Sequence, residues 1–253
     1  MPFTFAHPVA IIPINKRWKD KFCLTGLVLG SMSPDFEYFI HLRPFSTYGH
    51  NILGFFILNL PLSFFLAYMF HYVLKNPLIL HMPSPIDKWF SNFLYRSWNL
   101  SSIKKVLIFV YSALLGMLTN VIWDSFTHAD GMMVSLLPVL SLKFFAFGYS
   151  VAIYKLLQHG GSLIGILIIM IILYKSRNQK VIMHSLPVTK KLLFFILTLL
   201  FNLFLIFGII YIKQEPPTIF NMGAVVVIMI DCLFLGLVLT SVISRLWLLN
   251  KKT

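Results

Sequence analysis

VLIFVYSALLGMLTNVIWDSFTH, residues 106–128, decides how this chain is read. From Val106 to Trp123 the run carries no formal charge. It is close to the roughly 20 residues that cross a bilayer as a helix. Asn120, Asp124 and His128 recur at intervals of four, so on a helix they share one face. A carboxylate one turn below an imidazole presents two metal ligands, or orients the histidine. An aspartate in or near lipid is costly and marks a functional site by default. The alternative is a helix end whose Asp124 and His128 are wetted at the membrane surface.

Outward from that stretch the chain is the same in kind. Of 253 residues, 58% are hydrophobic and 11% charged, and the mean hydropathy is +0.83. A soluble domain carries about 25% charged residues. Several further runs approach bilayer length without the alternating polarity of barrel strands. The expected architecture is an all-α, polytopic transmembrane helix bundle of about five to six membrane segments, one of them broken. It is read as a single integral-membrane domain over residues 1–253, with a polar core in 1–174 and a C-terminal helix pair in 192–249. The formal charge of +13, from 21 Lys and Arg against 8 Asp and Glu, fits cytoplasmic loops facing anionic lipid, not nucleic-acid binding. Cys23 and Cys232 lack Cys-x-x-Cys partners, so neither a disulfide framework nor a thiolate zinc site is implied.

Upstream, Pro2, Pro8 and Pro13 interrupt an apolar opening that contains His7, which suggests a short interfacial or re-entrant segment. The basic patch from Lys16 to Lys21 follows. After the run Phe22 to Met32, Ser33-Pro34-Asp35-Phe36-Glu37 reads as a helix start, with Ser33 as N-cap and acids in the first turn. A membrane helix broken there would line a cavity. Glu37 and His41 are four apart and could pair locally. His50 leads the span Asn51 to Leu74. The basic connection Lys75 to Lys105 holds Trp89, Phe90, Phe93, Tyr95 and Trp98, an amphipathic interfacial pattern bordered by His71 and His81.

Downstream of His128, an apolar portion from Met132 to Ala152 is expected to lie flat or dip into the membrane. His159-Gly160-Gly161-Ser162 then opens the run Leu163 to Tyr174, as a close approach or a turn. A second basic loop carries Lys175, Arg177, Lys180, Lys190, Lys191 and a solvated His184. Leu192 to Ile212 and Gly223 to Leu249 span, joined by a turn with Glu215-Pro216-Pro217. Asp231 lies inside the last span without an obvious partner, and Lys251 and Lys252 close the chain.

Placing the basic loops and the C-terminus in the cytoplasm puts Asp35, His50, Asp124, His128 and His159 together on the opposite face. Imidazoles and carboxylates without thiolate suit Zn2+ or a similar divalent ion with an open catalytic position. Such an ion would lower the pKa of bound water to about 7. Glu37 would be a general base or a ligand, and Asp124 a ligand with a catalytic role.

The opening Met1 to Pro8, Gly30-Ser31-Met32-Ser33-Pro34-Asp35-Phe36-Glu37-Tyr38, Trp123-Asp124-Ser125-Phe126-Thr127-His128 and His159-Gly160 resemble a bacterial multi-pass membrane protein family of unknown function, domain-of-unknown-function family 4184. More distantly, the order is similar to the inner-membrane metal-dependent hydrolase family. That similarity implies a site on His7, Asp35, Glu37, His50 and Asp124. Glu37 stands where that family has a second Asp, and its His-Arg-Gly-x-Thr-His segment is reduced to Gly49-His50-Asn51. The expected function is a metal-dependent hydrolase of a lipid or lipid-linked phosphate ester in the bacterial inner membrane, with the bilayer and a lipid substrate as partners. The alternatives are an ion-coupled transporter and a non-catalytic assembly protein.

Overall fold

In the computed structural model, which describes residues 3–18, 20–146, 148–178, 185–213 and 222–249, nearly all regular structure is helical. The principal helices are Leu24–Met32 (α1), Ile52–His81 (α2), Ile103–Thr127 (α3), Ile153–Lys175 (α4), Val188–Lys213 (α5) and Met222–Leu249 (α6). Five of them, α2 to α6, are long and apolar enough to cross a membrane. This is an all-α, multi-pass membrane protein. The exception is a small antiparallel hairpin, Lys143–Ala146 (β1) with Tyr149–Ala152 (β2), turned at Gly148 with φ 84°. Lys180, His184, the Glu215-Pro216-Pro217 turn, Lys251 and Lys252 lie outside the described residues.

The chain divides into two compact units. The first comprises Met1–Glu37, Ser46–Ala67 and Leu100–Ser176. Its centre is α1 laid closely along α3. A Cβ on Gly30 would stand 2.1 Å from the Ala113 carbonyl oxygen, and one on Gly116 2.5 Å from that of Leu27. Gly26 and Gly30 form a Gly-x3-Gly stripe, the small-residue pattern that lets membrane helices approach backbone to backbone. Gly26 faces Phe109, Gly30 faces Ala113, and the Asn120 amide donates to the Ser31 carbonyl at 3.0 Å. Residue numbers rise together on both helices, so they run parallel.

Several local expectations change. The prolines do not break the N-terminal segment: a 3-10 helix over Thr4–Ile11 contains Pro8 and runs on into a helix over Ile12–Arg17. Pro13 occupies the first turn of that helix, where a missing N–H is no loss. Ser33 is no N-cap. Its hydroxyl donates back to the Gly30 carbonyl, and Ser33–Asp35 is a single 3-10 turn joining α1 to Phe36–His41, a tightening instead of a gap. The segment Met132 to Ala152 is a short helix, a 3-10 turn and the hairpin. His159-Gly160-Gly161 lies inside α4, not ahead of it.

The second unit comprises Tyr38–Phe45, Tyr68–Asn99 and Arg177–Thr253. Here α5 and α6 pack antiparallel, with Gly236 against Thr198 and Lys190 over the Trp247 ring. α2 widens into π turns over Phe55–Asn59 and Met69–Leu74, shortly before Pro61 and Pro77. A proline lacks the N–H for the carbonyl four residues back and crowds it. The carbonyl orphaned by Pro77 is that of Val73, and it accepts instead from Arg245 Nε at 3.2 Å. The connection after His81 holds no long amphipathic helix, only Ile86–Trp89 and Ser91–Phe93. Its aromatics pack locally: Trp98 stacks on His71, and Arg177 lies over Trp89. His81 is buried, its Nδ1 2.7 Å from the Pro77 carbonyl, so it is not the interfacial residue its sequence position suggests.

Candidate metal centre

Four side chains of the first unit meet at the common end of α1 and α3. Asp35 lies four residues beyond Ser31 and Asp124 four beyond Asn120, so the bond between Ser31 and Asn120 sets the two carboxylates level. His50 stands just before α2, where the Asn51 side chain caps the helix by accepting from the Gly54 N–H at 2.8 Å. Its loop is held from two sides. Asn59, in the first π turn, donates to the Gly49 carbonyl at 2.6 Å, and a Cβ on Gly49 would lie 2.2 Å from the Pro34 carbonyl oxygen. His7 comes from the N-terminal 3-10 helix, which lies along α4 through Ala6 on Gly165 and the Phe3 N–H donating to Ser162 Oγ.

The atoms form a closed ring. His7 Nε2 is 3.6 Å from Asp35 Oδ2 and 3.6 Å from Asp124 Oδ1. His50 Nε2 is 3.5 Å from Asp35 Oδ1 and 3.3 Å from Asp124 Oδ2. Most of these separations are longer than a good hydrogen bond. Accordingly His7 Nε2, both Asp35 oxygens and Asp124 Oδ1 are buried without a hydrogen-bond partner among the described residues. Orphaned buried polar atoms of this kind are rare and call for a water or an ion among them. Burial disfavours a charged His50, yet the Asp124 and Asp35 carboxylates outweigh it and raise its pKa to about 9. The site therefore attracts positive charge strongly.

The donor set fits a divalent ion. Bonds of about 2.0–2.2 Å at tetrahedral angles place neighbouring ligand atoms about 3.3–3.6 Å apart, and each imidazole nitrogen stands 3.3–3.6 Å from one oxygen of either carboxylate. His7, Asp35 and Asp124 alone offer three ligand atoms within 4.8 Å of one another.

The other sequence candidates fall elsewhere. His128 caps α3 at the rim: its ring Nδ1 is 3.1 Å from the Asp124 carbonyl and 3.9 Å from Asp124 Oδ2. His159 is exposed on α4. Register explains this, because Gly165 sits beside Ala6 and His159 lies a further six residues back along α4. Glu37 has the surroundings of a brace, not of a base. Its carboxylate accepts from Ser46 Oγ and from the N–H groups of Thr47, Tyr48 and Gly49. Burial pushes its pKa up, but these donors prevail and hold it at about 2. Asn59 and the Gly26–Gly30 stripe also shape the site; the glycine spacing is visible in the sequence, whereas the Asn59 contact is not written in any local pattern.

The family model for a Domain of unknown function (DUF4184) matches residues 1–242. The chain belongs to this family. The matched residues include His7, Asp35, His50 and Asp124. No curated protein and no solved structure matches the chain.

Proposed function

We propose that the ring of His7, Asp35, His50 and Asp124 is a divalent-cation centre, for Zn2+ or a similar ion, in a membrane hydrolase acting on a lipid or lipid-linked phosphate ester. The observation that carries this reading is that His7 Nε2, both Asp35 oxygens and Asp124 Oδ1 are buried, face one another across the ring and have no hydrogen-bond partner among the described residues. Two carboxylates so placed repel each other unless a cation lies between them. A resident divalent ion supplies Lewis-acid polarisation and a water of lowered pKa.

The protein's own groups do the rest. His7, Asp35, His50 and Asp124 fix the donor geometry, and Glu37 clamps the loop that aims His50. His128 donates from Nδ1 to the Asp124 carbonyl, which leaves Nε2 as the ring's basic nitrogen, at the exposed edge, to take and return a proton. In the hydrolysis, water oxygen adds to phosphorus, the ester P–O bond breaks, and the proton passes to the departing alcohol oxygen. The bilayer location and the similarity to the inner-membrane metal-dependent hydrolase family support a lipid-borne substrate. By the positive-inside rule, the same proposal puts the protein in the bacterial inner membrane with a cytoplasmic C-terminus and the site on the outer face.

The test is phosphate release from phospholipid or lipid-linked phosphate in detergent micelles, with and without a chelator. Release that is chelator-sensitive and absent in Asp35→Asn is expected. Protein that binds Zn2+ but releases nothing from either substrate would remove the hydrolase reading.

A further inference from the structure

The two carboxylates do not face the imidazoles as they would around one tetrahedral ion. Around a single four-coordinate cation, each aspartate would turn one and the same oxygen toward both histidines. Here Asp35 gives Oδ2 to His7 and Oδ1 to His50, while Asp124 gives Oδ1 to His7 and Oδ2 to His50. The donors sort into two triads that share both carboxylates and no oxygen atom. We infer that the site holds two adjacent divalent cations, bridged by Asp35 and Asp124, one facing His7 and the other facing His50. This rests on the reading of the ring as a cation centre.

The triads differ in access. His7 and Asp35 side chains are 2% and 1% exposed, so the inner triad is sealed. His50 is 28% exposed, with His128 at 25% beside it, so the outer triad opens at the rim. The inner position is closed by protein, and the outer one keeps room for water and substrate. Two carboxylates against two divalent cations leave excess positive charge, which an anionic phosphate ester and a hydroxide would neutralise. Paired cations clamping both the attacking and the leaving oxygen are the known use of such sites in phosphate-ester chemistry. The inference therefore narrows the substrate to an anionic ester whose phosphate reaches the His50 side.

Equilibrium dialysis of the purified full chain against Zn2+, followed by elemental analysis, tests it, with Mn2+ electron paramagnetic resonance as a second readout. Two Zn2+ per chain in the wild type, one in His50→Gln, and an exchange-coupled Mn2+ spectrum are expected. One Zn2+ per chain, or two equivalents whose Mn2+ spectra are uncoupled, would overturn the two-cation inference and leave the proposed function standing. No bound Zn2+ or Mn2+ in folded protein would overturn both. The wild-type stoichiometry and coupling decide the matter even where a variant fails to fold.

Discussion

Asp87 and Asp124 are both buried carboxylates, one in each unit, and their surroundings are opposite in kind. Asp87 is fully buried yet completely served: Lys191, Ser185, Ser84 and the Lys88 N–H all donate to it. Burial alone would raise its pKa, but those partners together hold it below the usual carboxylate value. Asp124 and Asp35 face imidazoles: Asp124 Oδ2 meets His50 Nε2 at 3.3 Å, and the other three carboxylate oxygens have no hydrogen-bond partner among the described residues. The first cluster is finished by its own lysine and reads as a structural pin. The second is left incomplete by the described residues, and that incompleteness separates a site from a buttress.

The comparison breaks first at the cation. Asp35→Asn keeps the shape but removes one bridging charge, and cation affinity is expected to vanish within the range of equilibrium dialysis while the melting temperature of the cation-free protein holds or rises. Next in size, Lys191→Ala leaves Asp87 buried and unpaired. Breaking a buried pair costs about 3–5 kcal/mol, so chemical denaturation should show that loss with Zn2+ stoichiometry unchanged. If Lys191→Ala lowered cation binding while the fold persisted, the division between pin and site would be wrong.

Glu37→Gln sharpens the contrast, because it weakens a brace without touching a ligand. Such supporting changes cost roughly 10–100-fold in metal affinity. The pH dependence follows from its depressed pKa. Glu37 titrates at about 2 when folded, against an ordinary 4.5, so its contribution is complete above 4.5 and is lost as pH falls toward 2. Hydrogen exchange at Thr47, Tyr48 and Gly49 should stay protected from pH 7 to 5 in the wild type, weaken below 4.5 and open as pH nears 2. In Glu37→Gln the protection should be weak throughout. A smaller effect is expected for Gly30→Ala, whose Cβ would collide with the Ala113 backbone. Overpacking of this kind costs about 1–3 kcal/mol, read as a lower denaturation midpoint. His159→Ala should change neither cation binding nor stability.

The sequence shows which faces are polar but not which faces meet. The interval of four from Asn120 to His128, and the acid after Pro34, placed Asp124 and Asp35 at helix mouths by arithmetic alone. His50 was legible as the residue heading a span. His7 entered through the family resemblance, because nothing local reveals that a proline-rich opening coils as a 3-10 helix and lies along α4. His159 differs for the same reason: neither its place inside α4 nor its register against Ala6 is written in the local sequence. Glu37 looked like a base because an acid beside a turn carries no mark of the loop amides that will surround it. Prolines read as breakers were absorbed by tighter or wider helical turns. That choice depends on packing against neighbouring helices, which no window of sequence contains.

A cation held in the ring is what makes these four side chains a site. The most direct measurement is X-ray absorption at the zinc edge on the full chain purified with Zn2+ present and excess removed. The expected spectrum has nitrogen and oxygen neighbours at about 2.0–2.2 Å with no sulfur shell, and it disappears in a folded Asp35→Asn, Asp124→Asn double variant. A wild-type protein that is folded and carries no zinc, or a zinc signal that survives the double variant unchanged, would contradict it.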